Sequence, residues 1–227
     1  MSGLLLGTGT LGDRVGHRKM FLIGLAIFGA ASLAAAFAPG TGELIAARAL
    51  LGVGAAVMMP ATLALIRLTF PDERERNTAI GIWGAVAVVG GALGPVVGGA
   101  LLEHFWVGSV FLINVPVVAA AIVLTFILAP PNMPDPGKSW DIISSVYSLI
   151  ALSGLTIAIK QTANTQSTKL LIASVVACVV GAWLFVRRQA RLEDPLLTFD
   201  IFRSRMFTGG VLAAAGGMFV MAGAELM

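Results

Sequence analysis

The sequence predicts an all-α membrane protein, and three features of its composition lead to that class. Of its 227 residues, 57% are hydrophobic and 12% are charged, whereas soluble chains carry about a quarter charged residues. Mean hydropathy is +0.91. Glycine is abundant at 27 residues, and aromatic residues make up only 7%. Small residues in such numbers are typical of closely packed membrane helices, so the composition excludes a soluble domain.

Apolar runs long enough to cross the ~30 Å hydrocarbon core as a helix occur about six to seven times along the chain. They are Met20 to Ala38, Leu44 to Ile66, Thr78 to Leu102, Gly108 to Ala129, Trp140 to Ile159, Lys169 to Val186 and Phe207 to Met227. The opening stretch, Met1 to Gly12, rises only ~18 Å as a helix. We therefore expect it to be the inner half of a helix whose beginning is missing.

The basic residues predict the orientation of these spans. Two lie in one set of alternate loops, Lys160 and Lys169, and Arg48 lies inside a span. The opposite set holds the other twelve: Arg14, Arg18, Lys19, Arg67, Arg74, Arg76, Lys138, Arg187, Arg188, Arg191, Arg203 and Arg205. This asymmetry fits the positive-inside rule, which makes the second set cytoplasmic. Because the basic residues form short clusters and not a continuous stripe, no nucleic-acid partner is predicted.

Proline and polar residues divide the chain into segments. Four prolines between Pro130 and Lys138 forbid a continuous helix there. The predicted organisation is a partial N-terminal helical bundle over 1–130, a proline-rich linker over 131–139, an additional helix pair over 140–189, a cytoplasmic amphipathic loop over 190–206 and the first helix of a further bundle over 207–227. The apolar residues in the 190–206 loop could lie on the membrane surface or form a few contacts in a solvated loop.

The first candidate motif lies at a helix end and the tight turn that follows. Its members are Gly9, Leu11, Asp13, Arg14, Gly16, Arg18 and Lys19. Gly16 permits the positive φ or the close approach that such a turn needs. Asp13 is placed to cap the next helix or to pair with an arginine. The alternative is an ordinary charged loop.

The second candidate is Arg48, a charge inside an apolar span. Burying a guanidinium in the membrane costs at least ~2.5 kcal/mol, so Arg48 must extend toward the interface or find a partner in a polar cavity. Gly52 lies on the same helix face at i+4 and leaves space beside the charge.

The third candidate is a glycine pattern in the span from Thr78 to Leu102. Its members are Gly81, Gly90, Gly94, Pro95, Gly98 and Gly99. Glycine at every fourth position forms a smooth stripe against which another helix can pack closely. Pro95 removes a backbone hydrogen bond and is expected to kink the helix. The pattern therefore predicts a pivot, with a purely structural packing motif as the alternative.

Together these motifs resemble the major facilitator superfamily. The turn from Gly9 to Lys19 resembles its signature between the second and third helices, and Arg48 with Gly52 resembles its fourth-helix signature, whose arginine is tied to proton transfer. The glycine pattern resembles the fifth-helix signature of antiporters. Asn114 and Pro116, within FLINVP, resemble the opening of the sixth helix in the fourteen-span drug:proton antiporter branch, in which two extra helices separate two six-helix halves.

The resemblance implies the fold of a partial N-terminal major facilitator bundle plus an inserted helix pair, in a bacterial cytoplasmic membrane. The similar proteins are efflux pumps for quaternary ammonium compounds, methyl viologen and cationic dyes. The implied function is export of small hydrophobic cations in exchange for protons, with the proton gradient as energy source and no cofactor. The first helix and the second half have no counterpart here, so we expect a fragment whose partners are the lipid bilayer and the remainder of the transporter.

A candidate cation site lies in the last apolar run. Glu225 shares a helix face with Met218 and Met221 at i−7 and i−4. A carboxylate among polarizable thioethers could bind a lipophilic cation, for which a proton could compete. Alternatively, the carboxylate meets water.

Three other functions compete with proton-coupled efflux. The antiporter-type glycine pattern argues against an uptake symporter. A non-transporting membrane fragment or assembly partner is favoured by the truncation. An enzyme is least favoured, because the sequence has no H-E-x-x-H, G-x-S-x-G or G-x-x-x-x-G-K-[ST] motif and places His17 and His104 at opposite membrane faces.

Overall fold

The computed structural model describes residues 2–135, 137, 141–163, 168–192, 208–213 and 216–217. In this part of the chain the regular secondary structure is helical throughout. The helices are α1 (Ser2–Val15), α2 (His17–Ala36), α3 (Thr41–Thr69), α4 (Glu73–His104), α5 (Ser109–Leu112), α6 (Asn114–Leu128), α7 (Ile142–Ala163) and α8 (Thr168–Gln189). The predicted all-α class is confirmed.

Six segments of the described chain are long and apolar enough to cross a membrane. They are α2, α3, α4, the joined pair α5 and α6, α7 and α8, and they correspond to the first six predicted runs. The protein is therefore a multi-pass membrane protein whose surroundings are the lipid bilayer. The fourteen residues of α1 rise ~21 Å, which is too short to span, as expected.

Local sequence explains where the helices stop and start. Pro71 separates α3 from α4. Asp72 then caps α4, because its carboxylate accepts hydrogen bonds from the backbone N–H groups of Arg74 at 2.9 Å and Glu75 at 3.1 Å. Asp141 caps α7 in the same way through the N–H groups of Ile143 and Ser144. The prolines after Leu128 end α6 where the sequence predicted an interruption.

Small residues form the contact between α2 and α3. A methyl group placed on Gly54 would lie 2.9 Å from the Phe28 nitrogen and 3.0 Å from the Gly24 carbonyl oxygen. The buried hydrophobic residues are mostly alanines, and the larger Met20 and Val57 pack beside Ala61. Large apolar side chains instead lie on the outside, as lipid-facing residues do.

The additional helices pack through small residues as well. Gly154 of α7 lies against Cys178 and Ser174 of α8, and Gly181 of α8 lies against Ala151 and Tyr147 of α7. The α7 helix also contacts α1, where Ser145 lies directly against Gly7. The pair is thus a close-packed hairpin in contact with the first helix of the bundle.

The chain divides into two compact units, 1–186 and 187–227. Of the second unit the structure describes 187–192, 208–213 and 216–217, and residues 208–213 are helical. Most of the predicted amphipathic loop and most of the predicted last span lie outside the described residues.

Candidate functional site

The turn between α1 and α2 has the backbone conformation that its glycine predicts. Gly16 has φ of +99°, and it is the one positive φ among the described residues. Its α-carbon also lies so close to the Asn132 side chain that an added methyl group would overlap it. Both the positive φ and the close approach at Gly16 are therefore confirmed, and both exclude a side chain there.

Asp13 pairs with a histidine of α2. Its carboxylate lies 3.0 Å from Nε2 of His17, one helical turn further along the chain. The residue that precedes α2 is Gly16, and no side-chain hydrogen bond caps the helix from that position. The predicted roles of Asp13, as a cap of α2 or as the partner of an arginine, stay predictions. The i+4 spacing of Asp13 and His17 was a signal for this pair.

A groove lies beside this turn, between α1, α2 and α3. It encloses about 510 Å³, and its polar lining consists of Thr10, Asp13, His17 and Arg67. A methyl group added at Gly9 would lie 3.7 Å from Cβ of Pro60, a proline inside α3. Leu11 packs onto the small core around Met20, while Arg14 and Lys19 are exposed. The groove therefore joins part of the first motif to a basic residue of α3.

The segment that follows α6 closes over the same turn. One amide group bridges its two sides: Nδ2 of Asn132 donates to the Val15 carbonyl at 2.8 Å, and Oδ1 accepts the Lys19 N–H at 3.1 Å. The Asp135 N–H donates to the Asp13 carbonyl at 3.1 Å.

Arg18 makes two contacts with the end of α6. Its guanidinium donates to the Phe126 carbonyl at 3.0 Å, and its Cζ lies 5.8 Å from the centroid of the Phe126 ring. This is a cation–π geometry. The side chain of Arg18 thus ties α2 to α6 at the basic end of the bundle.

Arg48 lies on an exposed part of α3, seven residues after the helix begins. At 1.5 Å per residue this is ~10 Å along the helix axis. Among the residues that the structure describes, no acidic side chain lies within ion-pair distance of it. A proton-transfer role of Arg48 therefore stays a prediction.

The glycine pattern of α4 is not packed against a neighbour in the described part of the chain. A methyl group added at Gly81, Gly90, Gly94, Gly98 or Gly99 would meet no atom within 4 Å, and α4 contributes no buried residue. The expectation that this stripe packs closely against another helix is thus wrong for the described residues. A smooth face permits close approach, but it does not determine which helix comes near. Pro95 lies within the continuous helix α4.

Asn114 and Pro116 lie at the start of α6, in different surroundings. Nδ2 of Asn114 donates to Oγ of Ser32, which is fully buried in α2, at 3.3 Å. Pro116 occupies the first turn of α6, where a missing N–H costs little, and it lines a mostly apolar groove with Leu101 and Trp106. Asn114 therefore links two helices inside the bundle.

The candidate cation site of Met218, Met221 and Glu225 lies outside the described residues. Sequence reasoning also missed residues that the structure brings to the site. His17 and Asn132 contact the turn, Pro60 faces Gly9, and Gly24 with Gly54 sets the spacing of α2 and α3. Asn132 was detectable only as the sole side-chain amide in the proline-rich segment.

The profile that describes the Major Facilitator Superfamily matches residues 2–226. The chain belongs to the Major Facilitator Superfamily. This is a family of membrane transporters and not of enzymes, so the predictions of the family and of a protein other than an enzyme are confirmed.

Similar members of the superfamily are named for drug efflux or resistance. Multidrug efflux pump LfrA of Mycolicibacterium smegmatis is 44% identical over 214 residues, which is 94% of this chain and 42% of that protein. Methyl viologen resistance protein SmvA of Salmonella typhimurium is 40% identical over 100% of this chain and 46% of its own length. Methylenomycin A resistance protein of Bacillus subtilis is 34% identical over 97% and 49%. The chain therefore spans less than half the length of these relatives.

Proposed function

We propose that this chain forms the N-terminal part of a drug exporter of the bacterial cytoplasmic membrane. The observation that carries the proposal is the 44% identity to a multidrug efflux pump across 94% of this chain. The resemblance of the motifs to the fourteen-span drug:proton antiporters supports the same function. The remainder of the transporter then completes the substrate pathway, because such transporters bind substrate between two helical halves.

The proposed reaction exchanges one or more protons for a hydrophobic cation, with no cofactor. Arg48 supports this part of the proposal, because a guanidinium about two turns inside an apolar helix costs free energy in the membrane. Charged residues within membrane spans usually have a function. We assign it the proton-coupling role that the fourth-helix signature implies. Glu225, with Met218 and Met221, is assigned the binding of the cation.

The experiment follows a fluorescent cationic dye in inside-out vesicles from cells that express the full-length protein. An imposed pH gradient without ATP should drive dye accumulation, and nigericin, which collapses that gradient, should abolish it. Vesicles from cells without the protein provide the control. Accumulation that persists after nigericin, or that requires ATP, would refute proton coupling.

A second candidate is a membrane fragment or assembly partner without transport activity of its own. The open glycine face of α4 favours it, because a face of this kind can receive a helix from another polypeptide. The 227-residue chain expressed alone distinguishes the two functions: dye efflux by this chain alone would exclude the assembly role.

A further inference from the structure

At the α1–α2 turn, the residue that precedes α2 supplies no side-chain cap for this helix. The first four N–H groups of a helix and the last four carbonyls have no partner within it. A capping side chain accepts the N–H of the second or third residue. Gly16 occupies the capping position of α2 and has no side chain to supply. Lys19, whose N–H needs a partner, is the third residue of α2.

Asn132 satisfies the ends of both helices from a distant part of the chain. Its Oδ1 accepts the Lys19 N–H, as the missing cap would, although the two residues are 113 positions apart. Its Nδ2 donates to the carbonyl of Val15, the last residue of α1. One amide thus accepts a hydrogen bond on one side of the turn and donates one on the other, a pairing that an ionised aspartate, which only accepts, cannot reproduce in full.

Gly16 and Asn132 are complementary in shape. A methyl group at Gly16 would overlap the Asn132 amide, so the glycine admits this side chain as well as allowing the positive φ. The Asp135 N–H bond to the Asp13 carbonyl continues the contact along the segment. Residues 129–135, which we name the strap, therefore follow the turn over several residues.

We propose that Asn132 is a positioning residue for the α1–α2 turn, acting as a helix cap supplied by the strap. Through it, the connection between α6 and the additional helices sets the geometry of the turn that carries Asp13, Arg14 and Arg18. The expected effect of Asn132 on transport rests on the proposed function, whereas the capping by Asn132 does not.

Hydrogen–deuterium exchange at the Lys19 amide tests the capping in the purified full-length protein. Asn132→Ala should speed exchange about fivefold, which corresponds to about 1 kcal/mol, the usual value of a lost helix cap. Asn132→Asp keeps the acceptor and should retain the protection of Lys19. Met133→Ala, at a neighbouring side chain that is 59% exposed, should leave exchange unchanged. Unchanged exchange in Asn132→Ala, or no rescue by aspartate, would overturn the proposal.

The dye assay tests the consequence for transport. Asn132→Ala should lower the maximal rate of dye efflux and leave the half-saturating dye concentration unchanged, and Asn132→Asp should recover part of that rate. A normal maximal rate in Asn132→Ala would overturn the positioning role. If the wild-type protein itself moves no dye, the proposed function fails, while the exchange experiment still decides whether Asn132 caps the turn.

Discussion

At Gly54 the helices α2 and α3 approach so closely that even a methyl group would crowd the backbone of the neighbour. Gly84 provides a matched position, since it also lies inside a helix but an added methyl group there would meet no atom within 4 Å. The two glycines have the same local structure and differ in their tertiary surroundings. Glycine at position 54 is therefore required by packing between helices, not by backbone conformation.

We expect Gly54→Ala to destabilise the purified protein in detergent and Gly84→Ala to leave it unchanged or slightly more stable. Overpacking a close contact costs about 1–3 kcal/mol, whereas alanine in a helix with free space is favoured over glycine. Thermal unfolding followed by tryptophan fluorescence measures the difference, and a loss of 1 kcal/mol lowers Tm by about 2–4 °C in a chain of this size. Equal melting temperatures for the two variants would contradict the α2–α3 contact.

Among the six spanning segments of the described chain, α4 is the least buried. It contributes no buried residue, and its glycine pattern lies open, although the same pattern resembles the antiporter signature. If the helix acts as a pivot, the stripe must stay free for the approach of a helix outside the described residues. A large side chain should then block the movement without preventing membrane insertion.

We therefore expect Gly94→Leu to lower the dye efflux rate about tenfold, equivalent to about 1.4 kcal/mol in the activation free energy, at normal membrane content. Pro95→Ala should also impair the rate, because it restores a backbone hydrogen bond that the pivot lacks. Val96→Leu is the control, since Val96 is 67% exposed on nearly the opposite face of α4. Efflux at the normal rate in both Gly94→Leu and Pro95→Ala would remove the pivot from the mechanism.

For the whole molecule, the six spanning segments of the described chain provide a scaffold, and the relatives match it over nearly its full length. The cation site proposed at Glu225 leads to a prediction about which substrates the exporter prefers. A dication should depend on that carboxylate more strongly than a monocation, because the attraction scales with charge.

We expect Glu225→Gln to reduce resistance to methyl viologen at least about fivefold, since a charge pair 4 Å apart contributes about 1 kcal/mol even in water. Resistance to a monocationic dye should fall less. Glu43→Gln changes an exposed carboxylate in the first turn of α3 and serves as the control. Unchanged methyl viologen resistance in cells expressing Glu225→Gln would assign Glu225 to a solvated position.

The sequence by itself determined the membrane class, the first six spans and the conformation of Gly16. Hydrophobic length decides whether a helix can span a membrane, and a tight turn between helices selects glycine locally. The tertiary structure decided which residues contact one another. Asp13 pairs with His17, Asn132 caps a helix 113 residues away, and the stripe through Gly94 meets no neighbour in the described chain. Spacing along a helix defines a face, but which distant segment covers that face depends on how all the helices pack together.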